Sequence, residues 1–110
     1  MGYRVVTAPP YDERFETAIQ FRIDYFGARS ASKLIDEQER IQGLLSDNSL
    51  MGTLVDKNDD GTSPDALRWV LVEKYACVYR VHLGDESVVL EDLFYSTEDW
   101  RDRMSGQQAD

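Results

Sequence analysis

A chain of 110 residues with 12 basic and 21 acidic side chains, net charge −9, has room for one two-layer core and not for two. The acidic excess repels polyanions at long range, which argues against a general nucleic-acid binder and against attraction to an anionic membrane surface. A single cysteine, Cys77, excludes an internal disulfide and a cysteine-based zinc set. With no signal peptide and no apolar run of transmembrane length, a cytoplasmic location is expected.

The first β-prone run is Tyr3–Thr7, ended by Pro9–Pro10, which cannot continue a ladder; an edge or N-terminal strand is expected. From Tyr11 to Phe26 the residues Phe15, Ala18, Ile19, Ile23 and Phe26 fall at helical spacing, and Gly27 supplies a stop. A second helix is expected from an N-cap at Ser30 or Ser32, with Leu34, Ile35, Gln38, Ile41, Leu44 and Leu45 on one face. A connection of roughly three to five residues would make the pair an antiparallel hairpin. The stretch 46–66, rich in Ser, Asp, Asn and Gly apart from the apolar patch Leu50–Val55, reads as a connecting loop with room for one short strand at most.

Three β-prone runs follow, Leu67–Val72, Tyr75–Leu83 and Val88–Tyr95, broken only at Glu73–Lys74 and Gly84–Asp85, so an antiparallel meander is predicted. In the middle run Tyr75, Cys77, Tyr79, Val81 and Leu83 alternate with Ala76, Val78, Arg80 and His82, and the first set is the expected helix-facing core. Leu67–Val72 is largely apolar on both faces; it is either interior or covered by a partner on its second face. Ser96 or Thr97 followed by acids is a helix N-cap pattern, so a short C-terminal helix is expected before a disordered tail over 105–110. The fold class is therefore α+β: one two-layer domain over residues 1–104, ordered β-α-α-β-β-β, with the meander packed on a helical hairpin.

Signals for chemistry are sparse. The run from Asp56 to Gly61 matches the first half of a calcium loop, but the twelfth position is Leu67 and the ninth Pro64, so an acidic turn is the simpler reading. His82 is the only histidine, and no spacing supports a metal site; no cofactor is implied. Arg68 and Arg80 on neighbouring strands form a recognition surface or else pair with Glu91 and other acids. Trp100 in a polar segment is an anchor against the body or a partner.

The order of elements and particular residues together resemble the RelE/ParE superfamily of bacterial type II toxin–antitoxin toxins. The likeness rests on YRVV at Tyr3–Val6, on Ala31 followed by Leu34, Ile41 and Leu44, and above all on LRWVLVEKYACVYRV at Leu67–Val81. There Leu67, Arg68, Tyr75, Tyr79, Arg80 and Val81 carry an "LR…Y…YRV" pattern. The resemblance implies a growth-inhibiting toxin of the kind found in plasmid-stabilising addiction modules, neutralised by a cognate antitoxin that wraps an extended or helical segment around it. The ParE-like branch poisons DNA gyrase by protein binding, with Arg68, Arg80, Trp100, Arg101 and Arg103 the implied partner-binding residues here. The RelE-like branch cleaves ribosome-bound mRNA, for which Arg68, Arg80, His82 and Tyr95 are the available set. Ala76 and Tyr95–Ser96–Thr97 stand where that branch places basic groups, which favours the ParE-like reading and leaves enzymatic activity undecided. A non-toxic interaction module on the same fold is the third reading.

Overall fold

The computed structural model describes residues 2–56, 58, 61, 66–97, 99–101 and 104. Its elements run β1 (Arg4–Thr7), α1 (Pro9–Phe26), α2 (Ala28–Asp47), β2 (Thr53–Leu54), β3 (Leu67–Val72), β4 (Tyr75–His82) and β5 (Ser87–Tyr95). The five strands form one sheet in the order β1-β5-β4-β3-β2. The predicted meander is present as β3, β4 and β5, and β1 joins it in parallel beside β5, with Arg4 opposite Ser87 and Thr7 opposite Leu90.

Local chemistry explains the helix boundaries, which differ from those expected. Pro9 and Pro10 end β1 and also open α1, because a first-turn residue needs no N–H for the helix. Gly27 lies at φ 92, a left-handed value that favours glycine. It closes α1 with its N–H on the Ile23 carbonyl and is at the same time the N-cap of α2. The connection is thus this single residue, shorter than the expected loop, and Ser30 and Ser32 lie inside α2 instead of capping it.

The hairpin is antiparallel: the Tyr11 hydroxyl on α1 donates to Gln38 Oε1 on α2 at 2.7 Å, and Arg22 near the end of α1 reaches the Ser30 carbonyl. Tyr11 and Ala18 from α1 and Leu34, Ile41 and Leu45 from α2 meet Val70, Val72, Tyr75, Cys77, Tyr79, Val88, Leu90 and Leu93 of the sheet. Each fully buried aliphatic side chain contributes about 1.5–3 kcal/mol of hydrophobic stabilisation. The helical faces are narrower than their spacing suggested, since Ile23, Phe26, Ile35 and Leu44 are exposed.

β4 is buried on both sides from Tyr75 through Tyr79, and its two faces explain why. Tyr75, Cys77 and Tyr79 face the helices as predicted, with Val81 at the margin of that core, but Leu83, expected in the same set, lies in the turn beyond β4 and is exposed. Ala76 and Val78 belong instead to a second core with Val55, Leu67, Phe94, Trp100 and Met104, against which Trp69 packs. The second face of β3 is therefore covered at Leu67 and Trp69 by the chain's own C-terminal segment, where Trp100, Arg101 and Met104 have helical backbone, while Leu71 on the same face is half-exposed. Residues 105–110 lie outside the described residues.

Gly52 holds the loop before β2 against the sheet, its N–H donating to the Tyr79 hydroxyl at 2.8 Å. A methyl group there would meet that hydroxyl at 2.5 Å and the Trp69 carbonyl at 2.8 Å. Gly52→Ala is expected to cost about 1–3 kcal/mol. Gly43 in α2 has open space around it, so Gly43→Ala should add about 0.5–1 kcal/mol. Urea melts of the two variants measured side by side should move in opposite directions; a shared direction would contradict the packing at Gly52.

Candidate functional site

The residues singled out from the sequence do not converge. The two-residue turn at Glu73–Lys74 sets the register of β3 on β4, with Arg68 opposite Tyr79 and Leu67 opposite Arg80. Arg68 therefore lies on the helix-facing side and Arg80 on the other. Arg68 Nη1 donates to the carbonyls of Gly52 at 2.9 Å and Leu50 at 3.3 Å, pinning the loop before β2. Arg80 Nε is 3.3 Å from Glu91 Oε2 on β5, the cross-strand pairing weighed in the sequence.

Tyr95 is opposite Tyr75 at the far end of the meander, ring centroids 5.4 Å apart. A strand advances about 3.3 Å per residue, which puts that end roughly 16 Å from Arg80 and 23 Å from His82 along β4. His82, at the last position of β4 and opposite Ser87, is exposed. These four side chains are thus divided between both faces and both ends of the sheet, and no position lies within hydrogen-bond reach of all of them.

The C-terminal candidates part company as well. Trp100 is only 4% exposed. It stacks on Phe94 at 6.1 Å and meets Trp69 edge-on at 5.4 Å, so it anchors its own segment to the sheet. Arg101 lies over the Trp69 and Trp100 rings at 5.1 and 5.8 Å. Its Nε and Trp69 Nε1 are buried without an acceptor among the described residues. Arg103 lies outside the described residues. Among the described residues no group of three or more His, Cys, Asp or Glu side chains is placed to hold a metal, and the run from Asp56 to Gly61 is only partly described, with the Asn58 N–H on Asp56 Oδ1 in an Asx turn. Cys77 is wholly buried, which pushes its thiol up, away from the reactive thiolate.

What the structure does assemble is a groove beside α1. Ala18 and Phe21 form one wall and Tyr75, Leu93 and Tyr95 the other, around a cavity of about 540 Å³ with Glu13 and Arg14 at its mouth. That volume is within the ~300–1,000 Å³ range of ligand-binding clefts. The groove opens onto exposed aromatic surface: Phe21, Tyr25 and Phe26 are 47%, 71% and 69% exposed, and Phe21 contacts both other rings. Exposed aromatics grouped in this way mark interaction surfaces more often than singly scattered apolar residues do. Arg14 is engaged at the rim, its Nε 3.0 Å from Asp92 Oδ1 and its guanidinium 4.7 Å from the Phe94 ring centroid. The sequence carried one trace of this groove, the i, i+4 spacing of Arg14, Ala18 and Arg22 beside that of Thr17, Phe21 and Tyr25. Which of those two adjoining stripes faces the core depends on how α1 is rolled on the sheet.

No protein-family model matches the chain, and no curated protein matches it in sequence. Solved structures do. A chain of the chromosomal ParDE TA system from P. aeruginosa superposes with a TM-score of 0.64 at 10% sequence identity, over 84% of this chain and 95% of that chain. A chain of the archaeal RelE-RelB complex from Pyrococcus horikoshii OT3 does so with a TM-score of 0.53 at 14% identity, over 89% and 99%. At such identities the likeness is one of fold: two helices on a mixed five-stranded sheet, as in these chains of the ParDE and RelE-RelB complexes.

Proposed function

We propose that this chain is the toxin of a type II toxin–antitoxin pair, ParE-like in acting by protein binding, with DNA gyrase as the target and a cognate antitoxin as its neutralising partner in the cytoplasm. The fold it shares with chains of the ParDE and RelE-RelB complexes supports the class. The observation that favours binding over catalysis is the dispersal of Arg68, Arg80, His82 and Tyr95. A 2′-hydroxyl cannot be deprotonated at one end of a sheet while its phosphate is stabilised on the opposite face at the other end. The engagement of Arg80 with Glu91 across the strands points the same way.

Induced expression should arrest growth, and co-expression of a short frame next to the coding region should restore it. The purified protein should inhibit gyrase supercoiling, and primer extension on translated messages should show no new cleavage. His82→Ala should leave growth arrest intact. Ribosome-dependent cleavage that His82→Ala or Tyr95→Phe abolishes would replace this reading with the RelE-like endonuclease, the reading that the RelE-RelB likeness keeps in play. Partner binding without any growth defect would select the non-toxic module.

A further inference from the structure

The groove between α1 and the β4–β5 end of the sheet has a chemistry that specifies its occupant. Its two walls are apolar, from Ala18 and Phe21 on one side and Leu93 and the two tyrosine rings on the other. Its mouth is acidic: Glu13 faces both this cavity and an adjoining one of about 520 Å³ shared with Glu16. Neither glutamate has an ion pair among the described residues, whereas Arg14, the cation on that rim, is already held by Asp92. The uncompensated sign at the mouth is negative, within a chain of net charge −9, and a cleft with low-dielectric walls concentrates that field.

We propose that this groove seats a basic, apolar-anchored segment of the partner protein: one large aliphatic or aromatic side chain in the cavity, with Lys or Arg beside it against Glu13 and Glu16. From the toxin–antitoxin reading it takes only the existence of a protein partner. A second copy of this chain fits poorly, because it would bring the same two carboxylates and another nine negative charges to the contact. Nucleic acid fits poorly for the same reason, since its phosphates would face Glu13 and Glu16. A compact small molecule would leave the aromatic surface of Tyr25 and Phe26 beyond the cavity uncovered, and a polypeptide segment would cover it.

Fluorescein-labelled peptides of about a dozen residues test this on the full chain. One carries Leu and Phe anchors at helical spacing flanked by Lys, the second has Glu for each Lys, and the third has Ser for each anchor. The Lys peptide should bind roughly tenfold tighter than the Glu peptide, as two rim ion pairs of a few-fold each allow. The Ser peptide should bind weakest, and amide shifts should centre on Ala18, Phe21 and Leu93. Glu13→Lys with Glu16→Lys should invert the order of the two charged peptides. Phe21→Ser, a change at a half-exposed site, should lower both affinities about tenfold while leaving the thermal melt in place. Equal binding of the charged peptides, preference for the Glu peptide, shifts centred elsewhere, or no binding at all would each overturn the proposal. Growth arrest and gyrase inhibition are separate readouts, so a chain that binds the Lys peptide without inhibiting growth retires the toxin reading and leaves the groove's chemistry standing.

Discussion

Trp100→Ala should destabilise the protein by about 3–5 kcal/mol, the range for removing a large buried aromatic side chain, and should uncover the second face of the sheet. Trp100 stacks on Phe94, meets Trp69 and is covered by Met104 in one cluster, so its loss removes the anchor of the segment that follows β5. Ala76 and Val78, at 0% exposure, would then meet water. Because the chain has two tryptophans, the variant leaves Trp69 as the sole indole. Its fluorescence should move to the red as the covering segment detaches, and a dye that binds exposed apolar surface should brighten. For a domain of this size each kcal/mol corresponds to roughly 4–8 °C, so the melting temperature should fall by more than 10 °C. An unshifted Trp69 spectrum with melting unchanged would mean that Trp100 does not hold this face.

Alkaline unfolding is expected to be steep. Tyr11, Cys77 and Tyr79 are all buried in the helix-facing core, and burial pushes each of them above its ordinary value, 10.0 for the phenols and 9.0 for the thiol. Nearby charge adds to the rise at Tyr11, while the Gly52 N–H and Arg68 partly offset it at Tyr79. The folded form thus keeps protons that the unfolded chain releases, so the contribution is fully present below about pH 9 and is lost progressively as pH rises. Above pH 10 the strongly raised Tyr11 and Cys77 each lower stability by about 1.4 kcal/mol per pH unit, about 3 kcal/mol per unit together, and Tyr79 adds in the same direction. Urea titrations between pH 8 and 11.5 should show a plateau and then a fall of that slope. Tyr11→Phe should reduce the slope by up to about half, while costing about 1 kcal/mol below pH 9 for the lost bond to Gln38. Stability that stays level from pH 9 to 11 would contradict the burial of these groups.

How much of this was legible in the sequence depends on whether a feature is set by neighbours along the chain or by neighbours in space. Alternation and two short breaks were enough to place β3, β4 and β5 and to divide Tyr75, Cys77 and Tyr79 from Ala76 and Val78. Arg68 and Arg80, read as one recognition surface, lie on opposite faces, although the length of the turn between their strands carried that information. A two-residue turn pairs odd-numbered with even-numbered residues, so two even-numbered residues on β3 and β4 must lie on opposite sides. Ile35, Leu44, Ile23 and Phe26 were misplaced because helical spacing describes an apolar stripe without saying how much of it a five-stranded sheet covers. Trp100 was ambiguous because a lone tryptophan among acids looks alike in sequence whether its chain or a partner covers it. The groove was the least legible, since it exists only where the flank of α1 meets the ends of β4 and β5.

The parallel pairing of β1 with β5 also governs when this molecule can come into being. β1 has no strand partner until β5, made about 80 residues later, is available, and β5 must fill the place between β1 and β4 before the sheet is continuous. Closing so long a loop is entropically costly and slow. Until Ser87–Tyr95 is available, α1 and α2 lack Val88, Leu90 and Leu93 to pack against, and the groove lacks one of its walls. A growing chain therefore acquires its shape and its binding surface together, once β5 has been made.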